Sequence, residues 1–285
     1  MLHWHETGRI RFMKKRLIAH SRKIFAICGL LLLLDASRFL MGEPTPAAIS
    51  AFNSYSKVVE SRLAQQHRSP NPFLAATASD PKGEEARLRR GELIIEKLTS
   101  STDVDYSRAL LHHWRGTAFA PGAKAEDFAR LMRDFNSYPQ HFSPQVLQAK
   151  TLTQDGDHMQ AWMRVRQRHV ITVVMDTNYD ITFGQSDMQH GYSISRSTRI
   201  AEVDAAGTSA ERTLSASEEH GYLWRMNTYW SYAERDGGLY VQIEAVSLTR
   251  SIPRGIGWAI QPYVESIPRE SLEFTLRSAC NALRR

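Results

Sequence analysis

From residue 146 to residue 248 the chain alternates apolar and polar residues, and directly after that the apolar residues fall into a helical period. Strict alternation marks half-buried strands, and spacings of three and four mark an amphipathic helix. The alternating runs are 146–153, 159–174, 178–183, 192–203, 223–233 and 239–248, preceded by 110–119 and by a short candidate at 93–98. Turn residues separate several of them: Ala120-Pro-Gly122, Asp155-Gly156-Asp157 and Asp236-Gly237-Gly238, the last a hairpin turn that uses glycine for positive φ. Helical spacing predicts a leading helix over 47–66, with Ile49, Phe52, Tyr55, Val58, Val59 and Leu63 on one stripe. A second helix is predicted over 125–135, ended by Asn136-Ser-Tyr-Pro139. The last begins over 258–264, re-initiates at Pro268 and runs to Leu283 with Leu272, Leu276 and Ala279 inward. Helices segregated from an antiparallel sheet make an α+β fold. A curved sheet around one long helix tends to leave an elongated cavity beside that helix.

The first 42 residues carry eight of the 36 basic residues and only two of the 30 acidic ones, which leaves the remainder with 28 of each. The basic pI therefore belongs to a targeting segment, and a nucleic-acid partner is not expected. Lys14-Lys15-Arg16 to Lys23 is followed by an uncharged run over 24–34. That length suits a signal-peptide core better than a spanning helix. Residues 1–42 read as a cleaved signal or an uncleaved anchor, and either one sends the body across the membrane, to the periplasm or to an anchored position facing it. Residues 43–108 form a helix and connector, with a helical turn at 84–90, and 109–285 form the main domain. Cys280 is the single cysteine after the targeting segment, so no internal disulfide and no Cys-rich zinc site are expected.

Two local strings carry a family resemblance. Asp127-Phe-Ala-Arg-Leu-Met-Arg-Asp-Phe-Asn-Ser-Tyr-Pro139 resembles the first helix of the START-like (SRPBCC, helix-grip) superfamily. Ser251-Ile-Pro-Arg-Gly-Ile-Gly-Trp258 through Ser266-Ile-Pro-Arg-Glu-Ser-Leu272 resembles that family's passage from the last strand into the gripping helix. The resemblance covers about residues 109–285 and is greatest to exported bacterial members with a leading helix. It implies a sheet wrapped around the C-terminal helix and a cavity for lipids, sterols or polyketides. Some members catalyse cyclisation or hydrolysis, and no universal catalytic motif carries over.

The chemistry-bearing residues point to binding more than to catalysis. His112 and His113 are adjacent on a strand and so face opposite ways, which prevents them from chelating one ion. No Gly-x-Ser-x-Gly is present, and no metal, cofactor or catalytic residue is assigned. One face of 223–233 carries Trp224, Met226, Thr228, Trp230 and Tyr232, which suits either a core or an apolar ligand. The expected cavity wall is Trp230, Met226 and Trp258, with Tyr192 and Met163. Arg225 and Glu244, on neighbouring strands, either pair on the surface or meet a polar ligand group inside. Arg164, Arg166 and Arg168 form a cationic strand face, either solvated or meeting anionic headgroups at a membrane surface.

The leading expectation is an exported binder of a lipid or other apolar small molecule. Its rivals are a cyclase- or aromatase-like enzyme using Arg225 or Glu244 and an envelope interaction protein with a filled core. Residues 1–60 fused to a periplasm-dependent reporter should give active reporter. Activity equal to that of the reporter without those residues would remove the export reading.

Overall fold

The computed structural model describes residues 42–69, 73–76, 81–99, 109–168, 171–251 and 257–284, and the side chains from 266 onward in the last stretch. The targeting segment predicted over 1–42 and the side chain of Trp258 lie outside the described residues, Gly42 apart. Among the described residues no helix is long and apolar enough to cross a membrane. Residues Glu43–Arg285 form one compact unit.

The chain opens with helix α1 (Pro46–Gln66). Thr45 caps it, its hydroxyl accepting from the Ala48 amide at 3.1 Å, and Pro46 sits in the first turn, where a missing N–H costs nothing. A short helix α2 (Pro81–Arg89) and strand β1 (Ile94–Lys97) follow. Next come β2 (Ala109–Pro121), α3 (Ala125–Arg133), a 3-10 turn at Phe135–Ser137 and α4 (Tyr138–His141). The strands β3 (Val146–Asp155), β4 (His158–Arg168), β5 (Thr172–Gln185), β6 (His190–Asp204), β7 (Arg212–Thr213), β8 (Arg225–Arg235) and β9 (Gly238–Arg250) lead to α5 (Gly257–Ala282). All pairings are antiparallel, in the order β1-β2-β9-β8-β6-β5-β4-β3, with the short β7 on β6. This is the α+β arrangement expected from the sequence: one large antiparallel sheet, a long C-terminal helix across it and an amphipathic helix in front.

The β8–β9 hairpin shows how local chemistry sets register. Arg235 pairs with Gly238, so Asp236 and Gly237 alone make the turn, with φ of 57° and 77°. Two consecutive positive φ values fit the twist of the flanking strands, and Asp-Gly is the pair that tolerates them. That register then places Trp230 beside Ile243 and Thr228 beside Ala245 on one face of the sheet.

Both faces of the sheet are covered, by different helices. On the inner face α3 and α5 bury Phe128, Leu131, Leu272, Leu276 and Ala279 against Ala118, Ile181, Trp230, Val241 and Ile243. Cys280 lies in this core, and burial pushes its thiol up to about 11. On the outer face α1 buries Ala48, Phe52, Val59 and Leu63 against Ala109, Leu111, Trp224, Tyr229, Val246 and Leu248.

Three sequence expectations need correction. The run 159–174 is not one strand: β4 ends at Arg168 and β5 starts at Thr172. Neither glycine nor proline falls between residues 168 and 172, so the alternation reads through. The last helix does not restart at Pro268, which lies inside a single helix α5. A proline there removes one backbone hydrogen bond, and the burial of Leu272, Leu276 and Ala279 outweighs that loss. Finally, Val58, expected on the apolar stripe of α1, is 69% exposed, whereas Val59, Phe52 and Leu63 of that stripe are buried.

Truncating Phe52 to alanine should lower unfolding stability by about 3–5 kcal/mol, as for a buried aromatic. Val58→Ala should change it by less than about 0.5 kcal/mol. Urea denaturation followed by far-UV circular dichroism checks both, and equal effects would mean that α1 does not pack as described.

Candidate ligand-binding face and the polar layer beneath helix α1

The inner face changes character along the strands. Toward the β8–β9 turn it is closed: Ala118, Trp230, Tyr232, Leu239, Val241 and Ile243 are all buried. Phe128 of α3 stands edge-on to Trp230, 5.3 Å between ring centres, and against Tyr232 at 5.1 Å. Toward the other end, where α5 begins, the inward residues Met226, Thr228, Ala245 and Ser247 are partly exposed, as are Met163 and Val165 of β4. At the same level the outward residues Asn227, Tyr229, Val246 and Leu248 are fully buried under α1. At this level the sheet is thus sealed on its outer face and partly open on its inner face.

Polar groups on this open part are few. His112 is buried, with Nε2 3.2 Å from the Thr249 hydroxyl. Trp114 lies beside Ala245 in register, and among the described residues its buried indole N–H has no hydrogen-bond partner. An unmet buried donor costs roughly 1–3 kcal/mol, which a ligand oxygen would recover.

The predicted wall residues separate accordingly. Trp230 is inward but packed into the closed part, and Met226 and Met163 are inward and partly exposed. Trp224, expected on the same face as Met226, turns outward into the core under α1 because it precedes the strand. Tyr192 is a correction: its ring stacks on His67 at 4.4 Å, on the outer face. Its cross-strand partner Ser231 faces outward too. Arg225 and Glu244 do not pair. Arg225 sits opposite Leu248 and donates to the Trp224 carbonyl at 2.7 Å, whereas Glu244 lies opposite Tyr229. An enzyme using Arg225 or Glu244 inside the grip therefore loses both groups. The cationic face of β4 is largely spent: Arg164 grips both oxygens of Asp176 at 2.7 and 2.9 Å and reaches Glu211 at 2.6 Å, and Arg166 donates to the Pro144 carbonyl.

Glu244 faces outward as expected for a surface pair, yet it is only 1% exposed, because α1 covers it. Its Oε2 accepts from His113 Nε2 at 2.8 Å and from Arg62 of α1. Burial pushes its carboxyl up, but His113 and Arg62 outweigh that and hold it below the usual range. The other ring nitrogen of His113, Nδ1, lies 2.9 Å from the Tyr55 hydroxyl, so the imidazole links α1 to Glu244. His112 and His113 do face opposite sides of the sheet, as adjacent strand residues must.

Helix α1 makes further ties of this kind. Glu60 receives both Arg196 Nε and Nη2 at 2.8 Å, and the Tyr229 hydroxyl at 3.2 Å. His67, just past the helix, contacts the Ser231 hydroxyl through Nε2 at 2.8 Å and lies between the rings of Phe73 and Tyr192. Burial first, then the Arg62 charge, lowers its pKa to about 4, against a raising effect of Glu244. His67 does not stand out in the sequence, since a lone histidine in a connector looks solvated, and Glu244 stands out there only as a partner of Arg225 or of a polar ligand group, not of helix α1. Among the described residues no group of three or more His, Cys, Asp or Glu side chains could hold a metal ion.

A folded-state pKa of about 4 against an ordinary 6.5 means that the unfolded chain binds the extra proton. The contribution of neutral His67 is complete above pH 6.5 and is lost as pH falls toward 4. It amounts to at most about 3 kcal/mol. Glu219 acts oppositely in that window, because burial and the Glu202 charge raise its pKa to about 7. The difference between wild type and His67→Gln isolates the His67 part. Denaturation midpoints from pH 7 to 4 should fall faster in wild type than in the variant, and parallel curves would contradict a buried neutral imidazole.

No protein-family model matches the chain, and no curated protein does. Solved structures do match. A STAR-related lipid transfer protein fragment from Xanthomonas axonopodis is 17% identical, with a TM-score of 0.42 over 67% of this chain and 99% of that one. The Zhui aromatase/cyclase from a Streptomyces species is 11% identical, with a TM-score of 0.42 over 61% and 94%. A START superfamily protein from Mycobacterium smegmatis is 13% identical, with a TM-score of 0.38 over 62% and 97%. At these identities the likeness concerns the course of the chain and transfers neither ligand nor reaction. By its element order, its single antiparallel sheet and the long C-terminal helix laid across the inner face, the chain has the α+β helix-grip arrangement.

Proposed function

We propose that this protein is an exported, non-catalytic binder of an apolar small molecule, a lipid being the favoured class, held between the inner face of the sheet and the start of α5. One observation carries the reading. Met226, Thr228, Ala245, Met163 and Val165 are partly exposed on the face that the grip helix covers, while the opposite face of β8 and β9 is sealed at the same level. A ligand covering partly exposed apolar wall removes that area from water, at about 25 cal/mol per Å², so this wall is where a ligand adds contact.

The chemistry of that wall selects the ligand. Two methionines offer flexible, polarisable surface that adapts to an irregular apolar body. Thr228, Ser247 and the unpartnered Trp114 N–H supply a small number of polar groups, as in most ligand pockets. A chain or ring system with one or two oxygen atoms fits this balance. The basic, apolar N-terminal run supports export to the compartment where such a carrier would meet membrane lipids. The printed names of the similar structures, a lipid transfer protein among them, agree with the class but do not select a ligand.

Native mass spectrometry of the protein purified from its host, followed by lipid extraction, should reveal a co-purified apolar molecule. Thr228→Trp would fill the space beside Ala245 and Trp114. It should reduce binding of an apolar fluorescent probe at least about tenfold while the thermal midpoint moves by a few degrees at most. A probe that binds the variant as it binds wild type would exclude the inner face as the site.

A further inference from the structure

Helix α1 does not close completely on the sheet. Between it and β2 lies a groove of about 420 Å³, on the face opposite the grip helix. That volume lies within the usual range of small-molecule sites. Val58, Val59 and Leu98 give it an apolar side; Arg62, Gln66 and Arg115 give it a polar one. Among the described residues no carboxylate lines it.

Arg115 is the unusual member. Its side chain is only 11% exposed. Its Nε donates to Glu96 at 2.7 Å, and among the described residues its two terminal nitrogens make no hydrogen bond. Glu244 Oε1 is 3.7 Å from Nη1, too far for a hydrogen bond, and among the described residues that oxygen has no hydrogen-bond partner. A guanidinium carries five N–H donors in a planar fork, and the fork matches a planar carboxylate through two parallel bonds. An almost buried guanidinium with most of its donors unspent is a costly arrangement unless something else meets them.

We propose that the groove between α1 and β2 is a second ligand site, which takes a small organic carboxylate on the terminal nitrogens of Arg115, with its apolar body against Val58, Val59 and Leu98. Two features select this class over inorganic phosphate. The charges of Arg62 and Arg115 already face Glu244 and Glu96, so the locus is close to neutral and suits one added negative charge better than two. The apolar side would leave a bare inorganic ion beside two valines and a leucine that it cannot use. Glu244 stands behind the wall as a positioning residue: it fixes Arg62 and His113, and it does not touch the ligand.

Benzoate titrated into protein with 13C-labelled valine and methionine methyl groups tests the site by NMR. Saturable shifts are expected at Val58 and Val59 but not at Met163 or Met226. Benzyl alcohol, the neutral analogue, and inorganic phosphate should each bind at least about tenfold more weakly. Arg115→Gln should lose benzoate binding by a similar factor. Because that variant removes a nearly buried charge, a surface pair decides the matter if it fails to fold. Val58→Glu should weaken benzoate by about tenfold and Val58→Lys should not, with Val59 as reporter. The proposal is overturned if benzyl alcohol or phosphate matches benzoate, if the two Val58 variants behave alike, or if benzoate shifts the methionine methyls and leaves Val59 unmoved. That last result would place the carboxylate inside the grip, and would leave the apolar-binder reading standing while this site fell.

Discussion

An ionised carboxylate that is 1% exposed must be neutralised at short range, and the groups that do this for Glu244 come from two separate parts of the chain. His113 is on the neighbouring strand β2, but Arg62 is on α1, 182 residues away in sequence. Removing one partner of a buried pair typically costs about 3–5 kcal/mol, because the other charge is left without compensation. The sheet therefore requires α1. The same helix is tied to β2 through Tyr55, to β6 through Glu60 and Arg196, to β9 through Arg62, and its end meets β8 through His67. These four strands are consecutive neighbours in the sheet, so one helix fixes their relative positions from outside.

That outer support bears on what the inner face can do. A sheet held only by its inner core would need that core to be filled along its whole length. Here the residues Asn227, Tyr229, Val246 and Leu248 are buried by α1 at the level where the inward Met226, Thr228 and Ala245 are not fully covered. The apolar contacts of Phe52, Val59 and Leu63, at about 25 cal/mol per Å² buried, supply stability on the outside that the inside lacks at that level. The closed end, with Phe128 against Trp230 and Tyr232, does the opposite and anchors α3 from within.

Much of this was legible in the sequence, for identifiable reasons. Alternation located nearly every strand, because a sheet with two chemically different faces writes a period of two into each of them. The stripe of Leu272, Leu276 and Ala279 located the grip helix, and Asp236-Gly237 fixed the hairpin that aligns β8 with β9. The turn between β4 and β5 was hidden because residues 169–171 lack any turn-forming type. What misled more was the assumption that one sheet face is solvated. Period two separates faces but does not say what covers each, so in the sequence Arg225, Glu244 and Tyr192 look like surface or cavity residues. Glu244 and Tyr192 instead belong to a layer made by α1. A polar residue buried by a distant helix carries no local mark, since its partner is chosen by tertiary packing.

The two faces also differ in how well their polar groups are met, and this separates structural polarity from polarity free to bind. Glu60, Arg196 and Tyr229 satisfy one another, as do His67 and Ser231, and such groups hold the helix in place. Trp114 on the inside and Arg115 on the outside are neighbours along β2, point to opposite faces, and each leaves buried donor capacity unused. A strand that carries the two underused donors back to back, one above a partly exposed apolar face and one in a groove with an apolar side, joins the two candidate sites through adjacent residues.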